Sequence, residues 1–353
     1  MTVIYNLQKL QPLWQTVDPF LLCAHHVDHY PTGNEQLGPN ASLSGHQLGQ
    51  DFIPLKDNWR MYHGHTVPGF PAHPHRGFET VTISRKGSID HFDSMGATGR
   101  YGDGDVQWLT AGNGIQHSEM FPLLNPNNEN PLELFQIWLN LPAKDKLCAP
   151  MFTMFWHESL PIFRHRDSHQ RETQVDIIAG TLANTTPLSP PPNSWAAEDH
   201  NHVAIWHIHM DAEAEWQMPP CPQGVNRRVY YYQGQSLTAG QSRVTQGHCF
   251  DVEPQQNLSI VNHAEPSHML VLQGRSINEA IAQQGPFVMN KQSELMEAFN
   301  DYQKTQFGGW PWPQADTTHP RHQARFISVG GKQDFPPSDD GDTPCSPSKP
   351  NAT

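Results

Sequence analysis

Short runs of β-branched, aromatic or alternating residues recur along the 353-residue chain, among them GFETVTIS, VQWLT, LELFQIWLNL, TQVDIIAG and HVAIWHIHMD. Each run is closed by Gly, Pro, Asn or Asp before the next begins. Runs of this length fit strands, and the breakers between them fit tight turns. A strand with one apolar face must bury it against another sheet, so a long succession of them leads to sandwiches or barrels. The 32 prolines and 26 glycines, set against 16% charged residues, favour such a turn-rich all-β architecture over a helical bundle.

The rhythm divides the chain. Residues 18–59 are irregular and His-rich (CAHHVDHYPTGNEQ), read as entry strands and a long surface loop. GFETVTIS, GSIDHFDS, VQWLT, TAGNGIQHSEM and LELFQIWLNL then make up one β unit. A boundary is expected between residues 144 and 156, after which RRVYYYQG, HCFDVEP, LSIVNH and HMLVLQG repeat the plan. The expected division is 1–150, 151–308 and a Pro/Trp-rich extension with a tail at 309–353. Two short C-terminal helices are predicted. One is SINEAIAQQG, with Ile277, Ala280 and Ile281 on one face and Gly285 as its stop. The other is SELMEAFNDYQ, with Leu295, Ala298, Phe299 and Tyr302 at helical spacing and Asn290 or Ser293 as cap. From about Lys332 the composition is that of a disordered tail.

Net charge is −13 and no Lys/Arg cluster or nuclear-localisation run is present, which argues against a direct grip on nucleic acid or an anionic membrane. The five cysteines are scattered without a C-x-x-C pair, so neither a disulfide framework nor a zinc knuckle is expected. The N-terminal segment lacks a signal-peptide pattern, and the apolar stretch from Phe20 to Ala24 is too short to span a bilayer. A soluble, cytoplasmic protein is the expectation.

Chemistry concentrates in two pairs, His73-x-His75 in HPHRGFET and His117-x-Glu119 in HSEM. Alternate residues of a strand face the same way, so each pair can aim both side chains at one point. Neighbouring strands lie about 4.8 Å apart, which lets both pairs reach one ion at roughly 2.0–2.2 Å. In a regular strand His73, His75, Glu79, Val81 and Ile83 would share one face, polar at one end and apolar at the other. Three imidazoles and a carboxylate suit Fe, Mn, Ni, Co, Cu or Zn. The pairs His63-x-His65 and His207-x-His209 are rivals; position favours His73-x-His75, and His207-x-His209 has no H-x-E partner downstream.

The segments HPHRGFETVTI, GDVQWLTAGNGIQHSEM and LELFQIWLNLP, with DPFLL and GPFVMN, closely resemble the pirin family of bicupins over residues 18–307. The resemblance implies two tandem cupin (jelly-roll) β-barrels with one mononuclear divalent metal, usually iron as Fe(II), in the first. It carries over His73, His75, His117 and Glu119 as ligands. Other cupins take the carboxylate from the first motif, which makes Glu79 the competing ligand. The resemblance also implies a quercetin 2,3-dioxygenase activity, a flavonol being cleaved by O2, with Glu119 accepting the flavonol hydroxyl proton and Phe70, Arg76 and Phe78 as candidate substrate contacts. For Arg76 an ion pair with a rim carboxylate competes with substrate binding. The alternative is a non-enzymatic, redox-sensitive iron protein that regulates through a protein partner. The second barrel, without a matching motif set, is expected to be metal-free and structural.

Overall fold

The computed structural model describes residues 3–49, 51–52 and 56–337. It forms two barrels of antiparallel strands. In the first, a six-stranded sheet runs in the order Met151–Phe155, Val106–Thr110, Phe78–Lys86, Asn130–Asn140, Phe20–Tyr30 and Leu13–Trp14. It faces another six-stranded sheet ordered Lys332–Asp334, Phe326–Val329, Thr98–Gly102, Ser88–Asp93, Ile115–Met120 and Gly69–His75. The second barrel sets a seven-stranded sheet, which includes Val225–Gln233, Ser267–Arg275 and Ala204–Met210, against a four-stranded one.

Three apolar clusters hold this arrangement. Tyr30, Ile89, Tyr101, Leu109 and Leu132 pack inside the first barrel, and Ile177, Trp206, Ile208, Val229 and Phe250 fill the second. The third lies between them, where Val81, Ile83, Phe135 and Ile137 meet Ile205, Tyr230 and Leu270. The large sheets are therefore buried on both faces, which explains the nearly unbroken apolar run LELFQIWLNL. Its residues Phe135, Ile137 and Leu139 face the other barrel. Leu134, Gln136 and Trp138, of opposite parity, face a cavity in the first barrel.

Strand pairing crosses the division near residue 150 in three places. Ile4–Lys9 pairs with His248–Val252 of the second barrel. Met151–Phe155 pairs with Val106–Thr110, and Phe326–Val329 with Thr98–Gly102, both in the first. The extension is thus built into the first barrel. Lys332–Asp334, expected to be tail, pairs with Phe326–Val329; the part of that expectation on residues 338–353 lies outside the described residues.

Of the two predicted helices, SELMEAFNDYQ forms as Gln292–Thr305, with Leu295 and Ala298 buried. Glu294 accepts the backbone N–H groups of Asn290 and Lys291, so the capping position is Lys291 rather than Asn290 or Ser293. SINEAIAQQG is not a helix. Ala282–Gln284 is a strand that pairs with Phe287–Met289 across the two-residue turn Gly285-Pro286. Gly285 takes φ 55°, which suits a tight hairpin turn. Burying Phe287 and Met289 against Leu295 and Ala298 outweighs the local helical spacing, and Ile281 of the predicted apolar face stays 47% exposed.

The shared face predicted for His73, His75, Glu79, Val81 and Ile83 is also corrected. The chain leaves one sheet after His75 and enters the other at Phe78, turning at Gly77 with φ 86°. A Cβ on Gly77 would lie 2.0 Å from the Val288 carbonyl oxygen, so only glycine fits. The turn inverts the parity. Val81 and Ile83 face the second barrel, and Thr82 takes the cavity side.

Candidate metal centre

Gly69–His75 and Ile115–Met120 are antiparallel neighbours, with His73 opposite His117 and Phe70 opposite Glu119 across a bulge. This register gathers three imidazoles. The rings of His73 and His117 are 4.5 Å apart, those of His73 and His75 4.8 Å, and those of His75 and His117 4.9 Å between centroids. Their ligand atoms all lie within 4.8 Å of one another.

The unpaired atoms fit a metal. Both ring nitrogens of His117 and Nδ1 of His75 are buried without a hydrogen-bond partner, an arrangement that costs free energy unless something fills it. His73 Nδ1 donates to the Pro71 carbonyl at 2.9 Å, which leaves its Nε2 lone pair available. Burial holds His73 down to about 4 and His75 and His117 well below the ordinary histidine value. All three are therefore neutral at pH 7, the form a metal requires.

His73 and His75 line a cavity of about 700 Å³, with the His117 ring packed beside both. Glu119, Thr82, Gln136 and Trp138 line it nearby, and Phe70, His26 and Phe52 wall it with aromatic rings. His63 and Asp51, 3.3 Å apart, belong to the same wall, so the His-rich N-terminal stretch and its loop help shape the chamber. Glu119 is pushed above the usual carboxyl range by burial. Gln136 Nε2 donates to its Oε2 at 2.8 Å, and Thr82 Oγ1 donates to its Oε1 at 3.0 Å.

Glu79 lies elsewhere. It accepts hydrogen bonds from Thr110 and Ser194 and does not line the cavity. Burial pushes it up to about 7, from 4.5. A carboxyl raised in this way stabilises the fold below its unfolded value, and that stability is lost as pH rises through about 7. Glu79→Gln is therefore expected to keep its metal content and to gain stability over the parent above pH 7. The gain should approach roughly 3 kcal/mol, the worth of about two and a half pK units. Urea unfolding at pH 5 and pH 8.5 checks this, and an unchanged difference between the two pH values would count against it.

Of the three candidate substrate contacts, only Phe70 lines the cavity. Phe78 is fully buried behind the site, 5.1 Å from the His75 ring and 4.3 Å from Trp138. Arg76 turns away. Its Nε donates to the Asn113 carbonyl and its Nη1 to Asp301, with Phe307 beneath the guanidinium. It ties the end of the strand carrying His73 and His75 to the C-terminal helix, the ion-pair alternative weighed from sequence.

Thr82, Gln136 and Trp138 were not singled out from sequence; the signal for Gln136 was an amide in the middle of an apolar run. His91 was also missed. It is fully buried, its ring centroid 5.6 Å from that of His117, with Gln107 on Nδ1 and Asp93 on Nε2. Both of its nitrogens are engaged, so it supports the triad from behind. Among the rivals, His63 and His65 are exposed, and His207 bonds Asp176 and Tyr232 between the barrels. The second barrel's interior is lined by apolar side chains.

Two family models match in order, Pirin over residues 4–139 and the Pirin C-terminal cupin domain over 205–308. The chain belongs to the pirin family. A pirin-like protein of Solanum lycopersicum is 33% identical over 67% of this chain and 75% of its own. A Vibrio cholerae protein provisionally named a quercetin 2,3-dioxygenase is 33% identical over 68% and 80%. Among solved structures, a quercetin 2,3-dioxygenase from Acinetobacter baumannii superposes with TM-score 0.65 at 25% identity, covering 87% of this chain and 95% of that one. The two-barrel, all-β architecture is thus that of pirins, and His73, His75 and His117 form the metal-capable group within it. No helix among the described residues is long and apolar enough to cross a membrane.

Proposed function

We propose that this pirin is a metal-dependent dioxygenase of the quercetin 2,3-dioxygenase type, acting on a flavonol with O2. His73, His75 and His117 would hold one divalent metal, with Fe(II) favoured, and Glu119 would supply the fourth ligand. The observation that carries the reading is the convergence of three neutral imidazoles, two of them with unpartnered buried nitrogens, beside a largely apolar cavity. Such a cavity suits a flat aromatic molecule, with few polar groups fixing its orientation. The bound metal would supply Lewis acidity and a route for O2 to react with the flavonol.

The chain's own residues do the rest. Phe70 and Trp138 offer ring faces to the substrate, while the packed barrel around the triad keeps bulk water out. Glu119, with its proton affinity raised by burial, is suited to take the flavonol hydroxyl proton. The names of the Vibrio and Acinetobacter relatives point to the same chemistry.

Protein loaded anaerobically with Fe(II), then given quercetin and air, is expected to bleach the flavonol absorbance and release carbon monoxide. Fully loaded protein that leaves quercetin intact would reject the reading.

A further inference from the structure

The Glu119 carboxylate shares the cavity with the imidazoles but is not gathered with them. Among the described residues, the group whose ligand atoms lie within 4.8 Å of one another consists of His73, His75 and His117. The carboxylate is held across the cavity instead, by Gln136 Nε2 at 2.8 Å and Thr82 Oγ1 at 3.0 Å. Thr82 Oγ1 also lies 2.7 Å from Gln136 Oε1, so its single proton is shared between that amide oxygen and Glu119 Oε1, while Gln136 Nε2 donates to Glu119 alone. Thr82 and Gln136 are direct partners in the register of two paired strands, and Glu119 reaches them from the facing sheet. Strand pairing therefore fixes this cradle independently of Glu119.

We propose that Thr82 and Gln136 are positioning residues that compete with the metal for the Glu119 carboxylate, making Glu119 the most weakly held of the four ligands. The inference rests on the metal-centre reading above. Each carboxylate oxygen already accepts from one of these side chains, Oε1 from Thr82 and Oε2 from Gln136, so coordination through either oxygen must give up or weaken that hydrogen bond, and the cradle opposes coordination by what it contributes. Its rigidity also gives the carboxylate a defined place beside the substrate space when it is off the metal.

The test is chelator competition for Zn(II) at fixed pH with Thr82→Val, Gln136→Met and the double variant, each repeated with Glu119→Gln. Removing the cradle is expected to tighten Zn(II) binding about tenfold, the scale of one hydrogen bond to a charged group. The gain should vanish in the Glu119→Gln background, a coupling that a merely structural role would not produce. Thr82→Ser, which keeps the hydroxyl, should restore the parent affinity. Weaker or unchanged binding in folded Thr82→Val and Gln136→Met proteins, checked by thermal melts, overturns the proposal. A parent protein that binds no Zn(II) rejects the metal-centre reading itself.

Discussion

His117→Ala is expected to lower the affinity for a divalent metal by more than about 100-fold, beyond the roughly 10–100-fold that loss of an outer-shell partner costs. His117 is one corner of the triad, 4.5 Å from His73 and 4.9 Å from His75. With both nitrogens buried and unpartnered, it has no structural hydrogen bond to lose. The metal-free variant should therefore lose less stability than a buried histidine of equal size that is fully bonded. His91→Ala is the matched control, since it strands Gln107 and Asp93, each unpaired polar group costing about 1–3 kcal/mol. The expected pattern is a contrast: His117→Ala melts modestly lower without metal and loses the metal-induced shift, whereas His91→Ala melts lower still and retains a shift. Full metal occupancy in His117→Ala, measured by elemental analysis after dialysis, would remove the triad from consideration as the site.

The triad was legible because a two-residue period survives inside one strand. His73-x-His75 lies within one strand and His117 within its neighbour, so local spacing sufficed to bring three imidazoles together, whereas Glu119, two residues on, is not gathered with them. The separation of Glu79 from the face of His75 was illegible for the opposite reason. The sheet change at Gly77 is set by the approach of the Val288 carbonyl, far along the chain, and no local pattern encodes it. The same holds for Ile4–Lys9, whose partner His248–Val252 closes the second barrel from the other end of the sequence. In 276–285 helical spacing was present, yet tertiary burial of Phe287 and Met289 decided the outcome. Gln136 could be seen as an anomaly but not assigned, because its partners Thr82 and Glu119 lie on other strands.

Arg100→Ala is expected to destabilise the protein by about 3–5 kcal/mol, the scale for removing one partner of a buried ion pair. Arg100 is 1% exposed and grips Asp90 with two hydrogen bonds, at 2.6 and 2.7 Å. The remaining guanidinium protons go to the C-terminal extension, with the carbonyls of His319, Pro320 and Gln323 each 3.0 Å away. Asp90 in turn accepts the backbone N–H of His319 at 2.8 Å. One buried pair thus fastens the segment that leads into Phe326–Val329, the strand added beside Thr98–Gly102. Without Arg100 the Asp90 charge is stranded and the segment loses its anchor, so cleavage by trypsin near Arg321 and Arg325 should accelerate together with the loss of stability. Asp90 lies on Ser88–Asp93, which pairs with the strand carrying His117 and Glu119, so metal affinity should fall as well, by less than in His117→Ala. Replacing both partners, Arg100→Met with Asp90→Leu, should recover most of the unfolding free energy, because matched apolar residues often substitute for a buried pair at little cost. The extension carbonyls then lose their donor, so protease sensitivity should persist after stability returns. A loss below 1 kcal/mol for Arg100→Ala in urea titrations, with the extension still resistant, would show that the strand pairing at Phe326 holds without this clamp.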